Sequence, residues 1–215
     1  MIRILLADDH DVLRRGLRDL IEERPDWEVC AEVENGRQAV EAAMEKKPDI
    51  AILDISMPEL NGLEATRQIR KALPRTEVLV FTMHEDEQLM RDVLAAGAKG
   101  YLLKTDASRY IVAAIDALSH HKPFFTSHLS EAMLDAFLQH ATRPETAATS
   151  GSITAREREI IQLLAEGKSN KKISAILGIS IKTVETHRAS IMRKIGATSV
   201  VDVVRYAVKN RIVEA

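Results

Sequence analysis

Five short apolar runs recur in the first 120 residues, and a stretch with helical periodicity follows each of them. The runs cover residues 2–7, 28–33, 50–54, 77–82 and 100–103. Strands that are joined by helix-length crossovers pair in parallel and connect with a right-handed sense. The pattern therefore predicts an α/β domain with a doubly wound, five-stranded parallel sheet.

Residues 153–213 differ from the first part, because they show helical periodicity throughout and contain no strand-like run. Residues 154–157 have the spacing of a capping box, and Ser169 and Ser180 precede the next two helical patterns. A tight turn at Gly178 between a short helix and a longer one is typical of a helix-turn-helix motif. We therefore expect a second, smaller all-α domain of four helices.

The residues between these two parts, 141–150, are small and polar and show no apolar periodicity. Such a composition is typical of a linker. We therefore predict a first domain at 1–120, a helix and linker at 121–152, and a second domain at 153–215. Apolar residues at helical spacing place that helix within 130–139.

The net charge of −2 hides opposite balances in the two parts of the chain. Residues 1–120 hold 16 Lys and Arg against 23 Asp and Glu, a balance of −7, whereas residues 150–215 hold 12 against 6, a balance of +6. The basic part could approach a polyanion, and a solvated basic surface is the alternative. With one cysteine and no apolar run long enough for a membrane span, we expect a cytoplasmic protein without disulfides and without a membrane partner.

Charged and hydroxyl side chains stand where four of the predicted strands end. Asp8 and Asp9 follow the first strand, Asp54 ends the third, Thr82 ends the fourth and Lys104 follows the fifth. The working site of an open parallel sheet lies beyond these strand ends. Crowded carboxylates need a cation, and oxygen ligands suit Mg²⁺. The set predicts phosphoryl transfer, with one carboxylate as nucleophile and with Thr82 and Lys104 binding phosphoryl oxygens.

The same residue types at strand ends also form turns and helix caps, so each of them alone has a structural interpretation. We expect Asp11 to cap the first helix. On that helix we expect Arg14, Arg15 and Arg18 to lie on the solvated face.

Five segments of the first domain match the motifs of a known family: LLADDH at 5–10, DISMPELNG at 54–62, VFT at 80–82, AGAKGY at 96–101 and LLK at 102–104. In these segments residues 1–120 resemble the receiver domain of two-component response regulators. The resemblance implies a flavodoxin-like sheet of order 2-1-3-4-5. It also implies a phospho-acceptor protein rather than an enzyme with a separate substrate, with only self-catalysed phosphorylation and dephosphorylation.

The receiver resemblance gives a role to individual residues. Asp54 is the implied phospho-acceptor, with a histidine kinase as the phosphate donor. Asp9, Asp54 and the backbone carbonyl of Ser56 are the implied Mg²⁺ ligands, with Asp8 close by and in contact through water. Thr82 and Tyr101 resemble the family's switch pair, in which the hydroxyl moves to the phosphoryl group as the ring turns inward, and core packing of Tyr101 is the alternative. Thr105 stands where many receivers have a proline after the lysine.

The third helix of the second domain has two distinct faces. Val184, Ile191 and Ile195 cluster on one side at 100° per residue. The opposite side carries small, polar and basic residues, which suit a DNA major groove, although an ordinary solvated face is the alternative. The residues on that side are Lys182, Glu185, Thr186, Ala189 and Arg193, and those predicted to neutralise phosphates are Lys171, Lys172, Lys182, Arg188, Arg193 and Lys194.

Residues 154–196 resemble the LuxR-type four-helix DNA-binding domain, so the whole chain looks like a NarL/FixJ-type response regulator. The resemblance implies a transcription regulator that binds promoter half-sites as a homodimer, with the fourth helix, 199–209, supporting dimerisation. The residues it places against bases are Glu185, Thr186 and Ala189, and those it places near phosphates are Lys182, Thr183, His187 and Arg188.

Two other functions compete with this interpretation. A phosphatase of the haloacid-dehalogenase type would use Asp9 as its nucleophile and leave Asp54 without a role. A DNA-binding regulator that never accepts phosphate would keep the acidic pocket without using it. Phosphate uptake and its dependence on Asp9 or Asp54 separate the three.

Overall fold

The computed structural model describes residues 1–126 and 153–214. The chain divides into two compact units, Met1–Pro144 and Glu145–Ala215. The division falls outside the described residues, so the domain boundaries given above stay a prediction. The predicted helix within 130–139 and the predicted linker also lie outside the described residues.

The first unit is a parallel sheet with helices on both faces, as the sequence predicts. The strands lie in the order β2-β1-β3-β4-β5-β6, and every neighbouring pair is parallel. The helices and strands within residues 1–126 are β1 (Ile2–Ala7), α1 (Asp11–Glu22), β2 (Trp27–Val33), α2 (Gly36–Lys46), β3 (Ile50–Asp54), α3 (Gly62–Ala72), β4 (Glu77–Thr82), α4 (Glu87–Ala95), β5 (Gly100–Leu103), α5 (Ala107–Ser119) and β6 (Phe124–Phe125).

The strand β6 is an addition to the predicted sheet of five strands. It pairs with the outer edge of β5, where Phe124 lies opposite Gly100 and Phe125 lies opposite Tyr101. Two residues are too few to show the alternation by which strands are recognised in a sequence. The strand therefore depends on the free edge of β5 and not on a local pattern.

Two separate cores cover the two faces of the sheet. Alternate residues of β1 point to opposite faces, so that Leu5 belongs to the core that contains residues of α2, α3 and α4, while Ile4 belongs to the core that contains residues of α1 and α5. The strand β3 is buried along its whole length. Strands buried on both faces explain the apolar runs without polar alternation.

The start of α1 differs from the prediction in two ways. The residue at the N-cap is His10, and its side chain makes no cap hydrogen bond. Asp11 is instead the first residue of the helix and forms ion pairs with Arg14 and Arg15. The expectation that Arg14 lies on the solvated face is wrong, because its side chain is buried.

Within residues 153–214 the second unit contains four helices, as predicted: α6 (Ala155–Ala165), α7 (Asn170–Leu177), α8 (Ile181–Ile195) and α9 (Val200–Lys209). Thr154 and Glu157 form the predicted capping box of α6, and the hydroxyls of Ser169 and Ser180 cap α7 and α8. Between α7 and α8 the chain turns at Gly178, whose φ of +62° favours glycine. This is the helix-turn-helix arrangement.

Helices of the two described ranges are too short or too polar to cross a lipid bilayer.

Candidate functional site

A buried cluster of three charges lies at the carboxyl ends of the strands in the first unit. Asp8 follows β1, Asp54 is the last residue of β3, and Lys104 follows β5. The ammonium Nζ of Lys104 lies 2.8 Å from Asp8 Oδ2 and 3.0 Å from Asp54 Oδ2. The structure therefore brings together two predicted carboxylates and the predicted lysine. Their net charge is one negative unit when all three are ionised.

The pKa values of Asp54 and Lys104 are both raised, for different reasons. Burial raises the pKa of Asp54, the Lys104 ammonium opposes this shift, and the neighbouring Asp8 carboxylate adds to it. For Lys104, burial lowers the pKa, but the two carboxylates outweigh burial and raise it. The lysine thus stays charged while Asp54 resists ionisation. An additional cation beside Asp54 would favour its ionised form.

The carboxylates of the cluster are suited to a hard divalent cation. One oxygen each from Asp8, Asp9 and Asp54 and one nitrogen of His10 lie within 4.8 Å of one another. Asp8 Oδ2 and Asp54 Oδ2 are buried, and neither accepts a hydrogen bond of suitable angle among the described residues, although both face Lys104. Oxygen atoms with unused acceptor capacity fit Mg²⁺.

His10 is a member of the pocket that the sequence analysis missed. Its Nδ1 atom lies 2.8 Å from Asp9 Oδ1 and 3.2 Å from Asp8 Oδ1, while its side chain is exposed. The sequence signal that could have identified His10 is its position directly after Asp9. Asp9 itself is 35% exposed at the side chain, so it faces solvent more than Asp8 or Asp54.

The loop after β3 packs against Asp54, and Gly62 allows the close approach. A Cβ atom at Gly62 would lie 2.0 Å from the backbone oxygen of Asp54. The Asn61 side chain caps α3 directly before this glycine. The backbone of Ser56 in the same loop hydrogen-bonds the Asp54 carboxylate. In the motif at 54–62, Gly62 is thus required by the close approach to Asp54, and Asn61 is explained by its role as helix cap.

Thr82 and Tyr101 both contact the backbone of His84 in the loop after β4. The hydroxyl oxygen of Thr82 accepts a hydrogen bond from His84 N at 3.2 Å, and the hydroxyl of Tyr101 donates one to His84 O. Tyr101 is fully buried, and burial raises its pKa to about 12. The ring therefore points inward, and its hydroxyl group stays protonated. His84 joins the two predicted switch residues, a link that the sequence analysis did not include.

The peptide bond after Lys104 is trans, in a short 3₁₀ turn that covers Lys104–Asp106. This chain therefore positions the lysine without the cis bond that a following proline could adopt.

In the second unit, α8 has the two faces that its sequence predicts. Val184 and Ile191 are completely buried, and Ile195 is half-buried. The exposed residues of the predicted DNA-binding set are Lys171, Lys172, Lys182, Thr183, Glu185, Thr186, Ala189 and Arg193, whereas His187 and Arg188 are half-buried. The guanidinium of Arg188 donates a hydrogen bond to Asn170 Oδ1 at 2.5 Å, which joins α8 to α7.

Lys194, which the sequence predicts to neutralise a phosphate, has an ion-pair partner within the second unit. Its Nζ lies 2.7 Å from Glu157 Oε2, and Ser190 Oγ donates to Glu157 Oε1 at 2.9 Å. Burial opposes ionisation of Glu157, but the hydrogen bonds from Lys194, Thr154 and Ser190 outweigh it and lower its pKa to about 2. Glu157 therefore completes the capping box of α6 and also fixes α8 against it.

Comparison with known proteins agrees with both halves of this description. Residues 4–116 match the response regulator receiver domain, and residues 151–207 match the LuxR family of bacterial regulatory proteins. The chain is 39% identical to the transcriptional regulatory protein LiaR of Bacillus subtilis over 213 residues, which are 99% of this chain and all of that protein. It is 36% identical to the oxygen regulatory protein NreC of Staphylococcus aureus over 217 positions, with the same coverage.

A solved structure of a LuxR-family two-component response regulator from Aurantimonas sp. SI85-9A1 is 33% identical, with a TM-score of 0.56. The match covers 66% of this chain and 99% of that one. The chain therefore belongs to the two-component response regulators, and within them to the NarL/FixJ type, which joins a receiver domain to a LuxR-type DNA-binding domain.

Proposed function

We propose that Asp54 accepts a phosphoryl group from a phosphohistidine of a histidine kinase and that this event controls DNA binding. The observation that carries the proposal is the buried Asp54 carboxylate, 3.0 Å from the Lys104 ammonium and beside Asp8. In the transfer, an Asp54 oxygen forms a bond to phosphorus while the bond from phosphorus to the histidine nitrogen breaks. The electron pair of the broken bond stays on the imidazole. Lys104 and the hydroxyl of Thr82 bind phosphoryl oxygens.

The residues that would hold Mg²⁺ are Asp9, Asp54 and the backbone carbonyl of Ser56, with Asp8 in contact through water. The ion would neutralise the charge that the carboxylates and the phosphoryl group share. The carboxylates support this assignment, because one oxygen each from Asp8, Asp9 and Asp54 lies within 4.8 Å of the others. Asp54 is then ionised in spite of its burial and can act as the nucleophile.

The switch assigned to Thr82 and Tyr101 is supported by their shared contact with His84. When the Thr82 hydroxyl turns toward the phosphoryl group, its hydrogen bond with His84 breaks. The loop after β4 is then free to follow, with the ring of Tyr101 buried beneath it. Phosphorylation would in this way shift a receiver with two states.

DNA is the proposed partner of the second unit, with α8 in the major groove. Glu185, Thr186 and Ala189 would face bases, while Lys182, Thr183, His187 and Arg188 would lie near phosphates, together with Lys171, Lys172 and Arg193. The exposure of the outer face of α8 supports this assignment. We propose a homodimer on paired promoter half-sites, in the cytoplasm where the DNA and the kinase's phosphohistidine are accessible.

The phosphatase alternative is weaker on geometric grounds. Its nucleophile, Asp9, is partly exposed and pairs with His10, whereas Asp54 is buried and pairs with Lys104. A nucleophile needs a fixed position and a cation for the phosphoryl oxygens, and Asp54 has both.

The mass of the intact chain after incubation with Mg²⁺ and a small acyl phosphate tests the proposal. We expect one added phosphoryl group on the native chain and on Asp9→Asn at a reduced rate, and none on Asp54→Asn. An adduct that survives Asp54→Asn and disappears in Asp9→Asn would instead support the phosphatase. No adduct on the folded native chain would overturn phosphorylation by small donors.

A further inference from the structure

Arg14 of α1 is buried, unlike the arginines beside it. Its side chain is 8% exposed, compared with 66% for Arg15 and 36% for Arg18 on the same helix. A guanidinium keeps its charge in proteins, so burying one is costly unless it is paired and hydrogen-bonded. Its partners therefore indicate what this arginine does.

The guanidinium of Arg14 binds one backbone carbonyl and is held by three carboxylates. Nη1 donates a buried hydrogen bond of 2.6 Å to the backbone oxygen of Asp8. Nη2 lies 3.0 Å from Asp11 Oδ1 and 3.3 Å from Glu34 Oε1, and Nε lies 3.6 Å from Glu32 Oε2. Because the guanidinium is planar and rigid, these partners fix the direction of the Nη1 bond.

This hydrogen bond adds to three other contacts that hold the backbone and side chain of Asp8 in place. The backbone N–H of Asp8 donates to Val33 O at 3.2 Å, its Oδ1 accepts from His10 N at 2.9 Å, and its Oδ2 faces Lys104. The backbone oxygen of Asp8 lies in the same peptide plane as the nitrogen of Asp9. A bond that fixes this oxygen therefore fixes the plane from which Asp9 starts.

We propose that Arg14 is a positioning residue for the cation pocket and sets the orientation of Asp8 and Asp9 through the peptide plane between them. This inference rests on the proposed function, because it assumes that these carboxylates hold Mg²⁺. Arg14 joins the pocket to the end of β2, through Glu32 and Glu34, and so keeps the two carboxylates oriented before the ion arrives. Loss of this bond lowers the affinity for Mg²⁺ and leaves the chemistry at saturating Mg²⁺ intact.

Mg²⁺ binding to the full chain, measured by calorimetry, tests this role. We expect Arg14→Gln to weaken Mg²⁺ binding about tenfold, as is typical when a group that orients a metal ligand is removed. Arg14→Lys keeps the charge and one donor, so its loss should be smaller, and this variant carries the test if Arg14→Gln does not fold. Arg15→Gln removes the same charge from an exposed site and should bind Mg²⁺ like the native chain.

The rate of phosphorylation by a small acyl phosphate, as a function of Mg²⁺ concentration, gives the second readout. Arg14→Gln should need about tenfold more Mg²⁺ for half of its maximal rate, with that maximal rate close to the native value. Folded Arg14 variants with native Mg²⁺ affinity, or with a maximal rate that no amount of Mg²⁺ restores, would overturn the inference. If the native chain itself takes up no phosphate, the proposed function fails instead, whatever the Arg14 variants do.

Discussion

Asp54 is held in its folded position at a cost in stability. Its pKa is raised, chiefly by burial and further by Asp8, in spite of the Lys104 ammonium. A carboxyl group with a raised pKa in the folded state binds its proton more tightly there than in the unfolded chain. Ionised Asp54 therefore destabilises the fold, and this destabilisation grows as the pH rises from the ordinary value of 3.8 through the raised pKa.

We accordingly expect Asp54→Asn, without Mg²⁺, to increase the free energy of unfolding at neutral pH. The gain should shrink as the pH falls through the raised pKa and vanish below 3.8, where the native carboxyl group is neutral in both states. Urea unfolding followed by tryptophan fluorescence measures this, because Trp27 is the only tryptophan and lies in β2. A loss of stability in Asp54→Asn, or a gain that does not depend on pH, would contradict the account.

Among the elements, the helix α3 begins at Gly62, directly against the backbone of Asp54. We expect Gly62→Ala to lower the stability by about 1–3 kcal/mol and to slow phosphorylation, because its Cβ atom would displace the backbone of Asp54. The matched control is Gly16→Ala in α1, where a Cβ atom meets nothing within 4 Å. That change should stabilise the helix by about 0.5–1 kcal/mol. Equal effects of the two substitutions on unfolding would show that the close approach is unimportant.

The helices α6 and α8 are joined by a buried charge. Glu157 has a pKa lowered to about 2, so its stabilising effect is present above the ordinary pKa of 4.5 and is lost as the pH falls from there toward 2. We expect Glu157→Gln to reduce the stability of α8 by about 2 kcal/mol at neutral pH. Hydrogen exchange of the α8 amides measures this, with the exposed Glu185→Gln as control. Unchanged protection in Glu157→Gln would rule out this role.

The elements that could be predicted from the sequence are those with a local cause. The five longer strands carry their own apolar runs, and Thr154, Ser169 and Ser180 carry their own capping signals. Features that depend on distant partners were missed. The strand β6 requires the edge of β5, the burial of Arg14 requires Glu32 and Glu34, and the partner of Lys194 lies on another helix.

In the candidate site, too, some residues could be predicted from the sequence and others could not. The convergence of Asp8, Asp9, Asp54 and Lys104 could be predicted, because the topology of a parallel sheet brings its strand ends together. His10 and His84 could not, because their roles depend on loop conformation. A loop backbone is fixed by its hydrogen bonds, here from the N–H groups of His10 and His84 to the side chains of Asp8 and Thr82, and these bonds leave no periodic pattern in the sequence.

At the scale of the whole molecule, the two parts of the chain carry opposite charge. The acidic balance of residues 1–120 includes the carboxylates of Asp8, Asp9 and Asp54, while the basic balance of 150–215 suits a polyanion. A basic surface binds any DNA in a salt-dependent way, so affinity for DNA alone does not establish regulation. Regulation requires that the affinity for DNA change when Asp54 is phosphorylated.

The most direct test is the affinity of the full chain for DNA before and after phosphorylation. The duplex would be one selected from a random pool by the phosphorylated chain, and the affinity would be measured at one fixed salt concentration. We expect the acyl phosphate to raise the affinity of the native chain severalfold and to leave that of Asp54→Asn unchanged. Equal affinity of the native chain with and without a confirmed phosphoryl group would contradict phosphorylation control and favour a regulator that does not use phosphate.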